Sequence, residues 1–462
     1  MLIETVEWVI SCKKALNWFI ESMGVEEWTK RREGVIKYFN SVKKTIYDEG
    51  TVQTTEINKL FYPIAVYDDW ISWYMYLIES LVDRPTCDDP TQSARIYPFF
   101  ITIGRGVEEL KKMPGIDKRI KSLLNEKQNK PDSTLFELVV ALCYNKNGWI
   151  VRFLEEQAGK KTPDFEVSRS GKEYQVECKR LAKVNDYSES ERTEWQKRFK
   201  YLSNAMRGFK RPIYAEIVFK VPLAKTTEDI LARVFIEYIK SGRLKESSVL
   251  SVDELDFKAT LLDMGRISKR LSESPVRANS PQLIEVFTGH YDPQGSYTQL
   301  MSPAKIVTVG MDDGMHILND FVEEIHEIYL AKWECISEES IDGKAKDIKK
   351  TLSKAVSQIS DDKEGIIHIG YETVNGPFVE FKRHEKIKEV IQFFDYSPKK
   401  IESIYCNAIQ PLVKIDEWEC AETVIYFEHE GNSILTEKLL LDPPGLETRD
   451  ATHWAEDIQN RS

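Results

Sequence analysis

The sequence predicts an α/β fold with a mixed central sheet and a core of the order αβββαβ. Three observations support this prediction. Between residues 132 and 221 the spacing of apolar residues changes repeatedly from helix-like to strand-like. Two strand-like runs in this region are joined by Ser170-Gly171, a pair that favours a two-residue hairpin turn. Residues 1 to about 100 are rich in Trp, Tyr and Phe and have helical spacing, which predicts a helical N-terminal domain.

The elements of the core follow one another at short intervals. They are a helix from Asp132 to about Asn147, an apolar run from Trp149 to Leu154, strands from Asp164 to Leu181, a helix over Ser188–Gly208 and a strand over Ile213–Val221. Further along, the pattern predicts a helix over Thr227–Ser241, a strand over Lys305–Gly310, helices over Asp320–Trp333 and Lys344–Ile359, a strand over Gly365–Tyr371 and a hairpin turn at Asn375-Gly376.

Five regions result from this pattern. Residues 1–125 are expected to form the helical domain, 126–222 the core, 223–340 an α+β insertion or accessory region, 341–445 a C-terminal α/β continuation of the core, and 446–462 a polar tail. The boundary before the core is marked by Lys111–Lys130, which contains Pro, Gly and an excess of basic residues.

The composition excludes several classes of protein. A chain of 462 residues that is 42% hydrophobic can bury a large core, and no run of eighteen apolar residues predicts a membrane span. The N-terminus lacks signal-peptide character and the seven cysteines are scattered, so we expect a cytoplasmic protein with reduced thiols. The net charge of −11 argues against non-specific coating of nucleic acid but allows a local basic cleft.

The segment TPDFEVSRSGKEYQVECKRL carries the strongest functional pattern. With Ser170-Gly171 as the turn, positions that sum to 341 face each other, so Asp164 lies opposite Glu177 and Lys179 joins the same face. The other face carries apolar residues that a core would cover: Phe165, Val167, Tyr174, Val176 and Cys178.

Two carboxylates directly across a strand pair repel each other unless a positive group lies between them. A divalent cation would satisfy both, since Mg²⁺ takes oxygen ligands and keeps waters and phosphate oxygens. We therefore expect Asp164 and Glu177 to be metal ligands for Mg²⁺ or Mn²⁺. These groups suit hydrolysis of a phosphodiester, in which a metal-bound water attacks phosphorus. Lys179 would orient that water and stabilise the charge that develops on phosphorus. The alternative is an ordinary amphipathic hairpin with a solvated polar face.

Pro163-Asp164 followed by Glu177-Cys178-Lys179, after a helix that bears Glu137, resembles the PD-(D/E)xK superfamily of restriction-endonuclease-like nucleases. The resemblance covers about residues 132 to 220 and implies that Glu137 contributes to metal binding. The alternative for Glu137 is a capping box that begins at Thr134. The ExK pattern alone is weak, because Glu380-Phe381-Lys382 also matches it. Hairpin arithmetic at Asn375-Gly376 places Tyr371, not a carboxylate, opposite Glu380.

Basic residues on two helices are candidates for phosphate contacts, although a solvated helix face explains them equally well. They are Arg192, Lys197, Arg198, Lys200 and Arg207 on the first helix and Lys349 and Lys350 on the second. Either helix could be the one that returns the chain to the central sheet. If it is the second, which has an apolar stripe of Ala345, Ile348, Leu352, Ala355 and Val356, then residues from about 185 to 340 are a large insertion.

The resemblance implies a metal-dependent endonuclease that hydrolyses phosphodiester bonds, with DNA as the favoured partner and a prokaryotic restriction or antiphage defence setting. Two alternatives stay open: a catalytically silent nuclease-like module that binds nucleic acid or a partner protein, and an RNA-directed nuclease on the same fold. The sequence predicts no membrane partner and leaves open a homo-oligomer or a partner protein.

Overall fold

The computed structural model describes residues 2–48, 67–83, 89–125, 131–155, 161–181, 185–278, 280–308, 320–415, 418–428, 433–442, 446–447 and 452–459. The described part of the chain begins with the helices α1 Leu2–Met23, α2 Val25–Asp48, α3 Trp70–Asp83, α4 Pro90–Arg105, α5 Val107–Lys112 and α6 Ile116–Asn125. The predicted helical character of the N-terminal region is confirmed. No helix in the described ranges is both long and apolar enough to cross a membrane.

Helix α7 (Pro131–Lys146) leads into the central sheet. The first three strands of this sheet are β1 (Ile150–Phe153), β2 (Phe165–Arg169) and β3 (Lys172–Arg180). Strands β1, β2 and β3 pair antiparallel. The chain returns to this sheet much later, with α13 (Lys349–Val356), β10 (Glu364–Glu372), α14 (Pro377–Phe393), β11 (Lys400–Val413), β12 (Trp418–Glu428) and β13 (Leu446–Glu447).

The described strands of this sheet lie in the order β1-β2-β3-β10-β11-β12-β13. Strand β10 is parallel to both β3 and β11, whereas β12 is antiparallel to β11. The sheet is therefore mixed, as the sequence predicts for an α/β protein. Helix α13 packs on β3 and β10. All five residues of the predicted apolar stripe are buried, although Ala345 and Ile348 lie before the helix and only the other three belong to it.

Residues 185–335 contain a second sheet. Helix α8 (Asp186–Phe209) comes first, and the described strands of the sheet are β4 Ile213–Phe219, β5 Leu250–Ser251, β6 Leu255–Leu261, β7 Val276–Arg277, β8 Ser296–Thr308 and β9 Asp320–Cys335. Helices α9 (Ile230–Lys240), α10 (Met264–Glu273) and α11 (Pro281–Thr288) pack on this sheet, and α12 (Glu338–Lys344) follows it.

The position of β4 corrects the predicted core. Residues 188–221 were expected to supply the last helix and strand of the αβββαβ order, but β4 pairs with β6 and β9 in the second sheet. The element that follows β3 in the central sheet is β10, and α13 is the helix that precedes it. The boundary between core and insertion therefore lies near residue 185 and not at 222.

Two further local predictions are wrong. Residues 320–333 form a strand and not a helix. They pair with β8, and from Tyr329 onward they also pair with β4 on the other side. Asn375-Gly376 is not a hairpin turn: Gly376 caps α14 and Pro377 occupies its first turn. The hairpin arithmetic that placed Tyr371 opposite Glu380 therefore does not apply.

Each face of the central sheet has its own core. On one face, α1 to α7 pack with β1–β3 and with residues of β11 and β12. On the other face, α13 and α14 pack against β10 and β11. The N-terminal helices are thus continuous with the core of the sheet. The tail expected to be polar also contributes, because α15 (His453–Gln459) buries Trp454 to 2% exposure.

Candidate active site

The hairpin register predicted from the sequence is confirmed. Phe165 pairs with Val176 and Glu166 with Gln175, so facing positions sum to 341. Ser170 and Gly171 have φ values of 52° and 81°, as a two-residue turn of this type requires. The predicted apolar face is buried in full, with exposures from 0% to 4%.

Asp164 lies one residue before β2, where it is held by the backbone of β3. Its amide donates to Val176 O at 3.1 Å, and its Oδ2 accepts a hydrogen bond from the Cys178 amide at 2.8 Å. This second bond orients the carboxyl group toward the edge of β3 at the level of Glu177 and Cys178. The Asp164 side chain is 13% exposed.

Glu177 and Lys179 project from the same face of β3 and form an ion pair through Glu177 Oε1. Glu177 is fully buried, whereas the Lys179 side chain is 24% exposed. The other carboxylate oxygen, Glu177 Oε2, is buried and accepts no hydrogen bond from any described residue. A buried carboxyl oxygen without a hydrogen-bond partner is costly, so this atom is suited to a further ligand.

Glu137 joins these residues from helix α7. Because α7 begins at Pro131, Glu137 lies in its second turn, and a capping box starting at Thr134 does not form. Glu137 is 6% exposed, and its Oε2 is buried. The structure therefore removes the capping alternative and places this carboxyl group beside the hairpin acids.

Arg119 completes the cluster, and sequence reasoning missed it. Its Nη2 donates to Asp164 Oδ1 at 2.6 Å, and its Nε lies 2.9 Å from Glu137 Oε2 in an ion pair. Arg119 belongs to α6, in the basic segment interpreted as a domain boundary. One signal was available: Ile116, Ile120, Leu123 and Leu124 have helical spacing, which predicts a packed helix there.

Burial dominates the electrostatics of the cluster. It raises the pKa of Glu177 to about 8, with a further contribution from Asp164. Burial also raises the pKa of Glu137 and of Asp164, and for Asp164 this effect is opposed by Arg119 and by the Cys178 amide. Three carboxyl groups that resist ionisation together form a site that gains free energy from added positive charge.

The donor set fits a hard divalent cation in one respect and conflicts with it in another. The three carboxyl groups offer oxygen ligands, and Glu177 Oε2 lacks a hydrogen-bond donor among the described residues, whereas Glu137 Oε2 is ion-paired with Arg119. However, no group of three or more His, Cys, Asp or Glu side chains in the described ranges is arranged to hold a metal ion as it stands. The Arg119 guanidinium lies at this position and contacts both Glu137 and Asp164.

The candidate phosphate-binding residues divide into two groups. Arg198 is 1% exposed, and its guanidinium donates to the carbonyls of Glu194, Leu223 and Thr226. Arg198 therefore stabilises the fold of the insertion and cannot contact a nucleic acid, which corrects the expectation. The others remain accessible: Lys200 is half-buried, and Arg192, Lys197, Arg207, Lys349 and Lys350 are exposed.

Their positions relative to the acids also differ. Arg192 lines a cleft of about 190 Å³ between α8, β9 and the start of α14. The cluster residues do not line that cleft: Glu137, Asp164, Glu177, Lys179 and Arg119. Lys349 and Lys350 lie on α13, which packs directly on β3, the strand of Glu177 and Lys179. Of the two basic helices, α13 is the one connected to the candidate site.

Comparisons with protein families, with curated proteins and with solved structures give no match for this chain.

Proposed function

We propose that this protein is a metal-dependent nuclease of the PD-(D/E)xK type, with Glu137, Asp164, Glu177 and Lys179 in its active site. The observation that supports the proposal best is the convergence of these four side chains in one buried cluster. They come from a helix and a hairpin that the chain forms in the order αβββ. Helix α13 and strand β10 then supply the remaining αβ of the core, with β10 parallel to β3.

Glu137, Asp164 and Glu177 would hold the metal ion, which supplies Lewis-acid polarisation of the phosphodiester and lowers the pKa of water. The protein's own contribution is to hold these groups. The Cys178 amide fixes Asp164, and β3 directs Glu177 and Lys179 to one side. Lys179, still partly exposed, can place its ammonium beside a phosphate and stabilise negative charge as it develops.

The test is cleavage of supercoiled DNA, linear duplex, single-stranded DNA and RNA, each with Mg²⁺, Mn²⁺ or EDTA. We expect cleavage of DNA with metal and none with EDTA. Asp164→Ala and Lys179→Ala should each lower the rate at least about a hundredfold. Asp164→Ala should also weaken Mn²⁺ binding, whereas Lys179→Ala should retain it, because an ammonium group is not a metal ligand.

Glu166→Ala is the matched control. Glu166 is an acid on the same face of the same hairpin, but it pairs with Arg152 and Lys363 outside the cluster. This variant should cleave at the wild-type rate. Metal-dependent cleavage that survives Asp164→Ala would contradict the site.

The silent nuclease-like module remains the second candidate, and one observation favours it: the metal-ligand arrangement is incomplete in the described structure. This candidate predicts no cleavage of any of the four substrates and no Mn²⁺ binding by the wild type. Cleavage of RNA but not of DNA would instead identify the RNA-directed alternative.

A further inference from the structure

Arg119 holds two of the three candidate metal ligands, and this contact has a consequence for how a metal ion enters. The guanidinium is 14% exposed and lies between α7 and the hairpin. It contacts one oxygen of Asp164 at 2.6 Å and one oxygen of Glu137 at 2.9 Å. In position and charge, it does what a cation bridging the two acids would do.

Both oxygens of Asp164 are occupied in this arrangement. Oδ1 accepts the Arg119 hydrogen bond and Oδ2 accepts the Cys178 amide. A divalent ion that ligates Asp164 Oδ1 would stand within a few ångströms of the guanidinium, where two positive charges in a buried space repel each other. The ion and the guanidinium therefore cannot occupy their places together.

Helix α6 cannot shift as a whole to withdraw the guanidinium, because the backbone just before it is fixed to the sheet. Pro114 O accepts the Phe153 amide of β1 at 2.9 Å, and a Cβ on Gly115 would lie 2.5 Å from Phe153 O. Ile116, Ile120, Leu123 and Leu124 anchor the helix in the N-terminal core with exposures of 2% or less. The Arg119 side chain, with its several torsions, is the part that can move.

We propose that Arg119 competes with the metal ion for Asp164 and Glu137, and that a helix outside the αβββαβ core thereby sets the metal affinity of the site. This inference rests on the proposed function. Among the described residues of the cluster, removal of the guanidinium leaves three buried carboxyl groups and the ammonium of Lys179. These groups then bind a divalent ion more tightly, because the ion no longer has to displace a positive charge.

The experiment is titration of the full chain with Mn²⁺ alone at pH 8, without nucleic acid. Calorimetry and electron paramagnetic resonance of free Mn²⁺ measure the binding. Arg119→Met should bind Mn²⁺ at least tenfold more tightly than the wild type. Lys118→Met is the matched control: it removes the same charge from the adjacent position, but Lys118 is 69% exposed and pairs with Glu155. Its affinity should stay within about twofold of the wild type, as expected for a solvated charge.

Mn²⁺ binding by Arg119→Met that equals or falls below wild-type binding would overturn the inference, while metal-dependent cleavage by the wild type would leave the proposed function intact. Tighter binding without cleavage of any substrate would support the competition and count against the nuclease. Absence of binding in both proteins would contradict both. If Arg119→Met does not fold, Arg119→Gln serves instead: its amide can still donate a hydrogen bond but carries no positive charge, so Mn²⁺ should raise its melting temperature more than that of the wild type.

Discussion

At the scale of single residues, burial makes the charged groups of the candidate site depend on one another. Glu177 has no exposed surface, and burial raises the pKa of its carboxyl group to about 8. At neutral pH the metal-free protein therefore keeps a proton on this group. A metal ion that binds there must release the proton, so metal affinity should increase as the pH approaches 8.

Glu177→Gln should stabilise the metal-free protein in a pH-dependent way. The pKa of Glu177 is raised in the folded state, so its favourable contribution is complete below about 4.5 and is lost as the pH rises toward 8. The glutamine variant has no carboxyl group to ionise, so it does not lose stability in this pH range. In EDTA at pH 8 its free energy of unfolding should exceed that of the wild type by roughly 1–3 kcal/mol, with little difference at pH 4.5. Urea denaturation at both pH values measures the effect.

Glu166→Gln is the control with the opposite sign. Although partial burial acts to raise the pKa of Glu166, contacts with Lys363 and Arg152 outweigh it and lower the pKa. The glutamate therefore stabilises the protein above its ordinary pKa, and the variant should be less stable than the wild type at pH 8. Equal pH profiles for the two variants would show that Glu177 is not buried in the way described.

The residues that could be predicted from sequence are those whose surroundings are local. Asp164, Glu177 and Lys179 share one hairpin, so a turn and strand alternation suffice to bring them together. Arg198 shows the limit. Its helix is basic on inspection, but its guanidinium is buried by the turn at Leu223–Lys225, some 25 residues away. Arg119 was missed for the same reason, because its partners lie on other elements.

At the scale of elements, the position of Glu137 depends on how closely α7 approaches the sheet. Gly370 of β10 permits this approach: a Cβ there would lie 2.6 Å from a ring carbon of Phe136, the residue before Glu137. Phe136 is fully buried among other side chains. A strand glycine thus sets the distance between the helix that bears Glu137 and the strand beside β3.

Gly370→Ala should therefore destabilise the protein by about 1–3 kcal/mol, as overpacking of a core does. It should also weaken Mn²⁺ binding, because α7 carries Glu137 with it when it shifts. Urea denaturation and Mn²⁺ titration measure the two effects. Gly208→Ala is the control, since nothing lies within 4 Å of a Cβ at this helical position. It should leave Mn²⁺ binding unchanged and add up to about 1 kcal/mol of stability. A Gly370→Ala protein as stable as the wild type would contradict this close contact.

Element types were predictable where local pattern and long-range pairing agree. The helix α13 has a stripe that is buried as expected, and β10 was anticipated as a strand. Residues 320–333 have apolar residues at helical spacing, but pairing with β8 over most of β9 outweighs this preference. At Asn375-Gly376 the informative residue was Pro377, which favours the first turn of a helix.

At the scale of the whole molecule, the insertion begins and ends at one place. The Asn185 side chain donates to the carbonyls of Gly343 and Lys344 at 3.1 and 2.9 Å. The second sheet has cores of its own, distinct from the two that cover the central sheet. The fold of the central sheet therefore does not depend on the apolar residues of the insertion. This arrangement was stated from the sequence only as one of two alternatives, because strand order is a long-range property.

Replacement of residues 186–342 by a short Gly-Ser linker should leave a protein that unfolds cooperatively and keeps Mn²⁺ binding within about threefold of the full chain. The physical reason is that the linker joins two positions already in contact, so its closure costs little entropy. Thermal unfolding followed by circular dichroism, with Mn²⁺ titration, measures the outcome. A shortened chain with no cooperative transition would contradict the independence of the cores.

The core shared by the N-terminal helices and the distant strands also bears on how the protein is made. Apolar residues of α1 to α6 pack in one cluster with Tyr405, Ile409 and Cys420, which leave the ribosome about 300 residues later. At 5–20 residues per second, this interval lasts roughly 15–60 s. During translation the helices wait with an uncovered apolar face, while the second sheet, whose partners all lie within residues 185–335, can close. Synthesis speed and chaperone supply should therefore affect the yield of this protein more than its final stability would suggest.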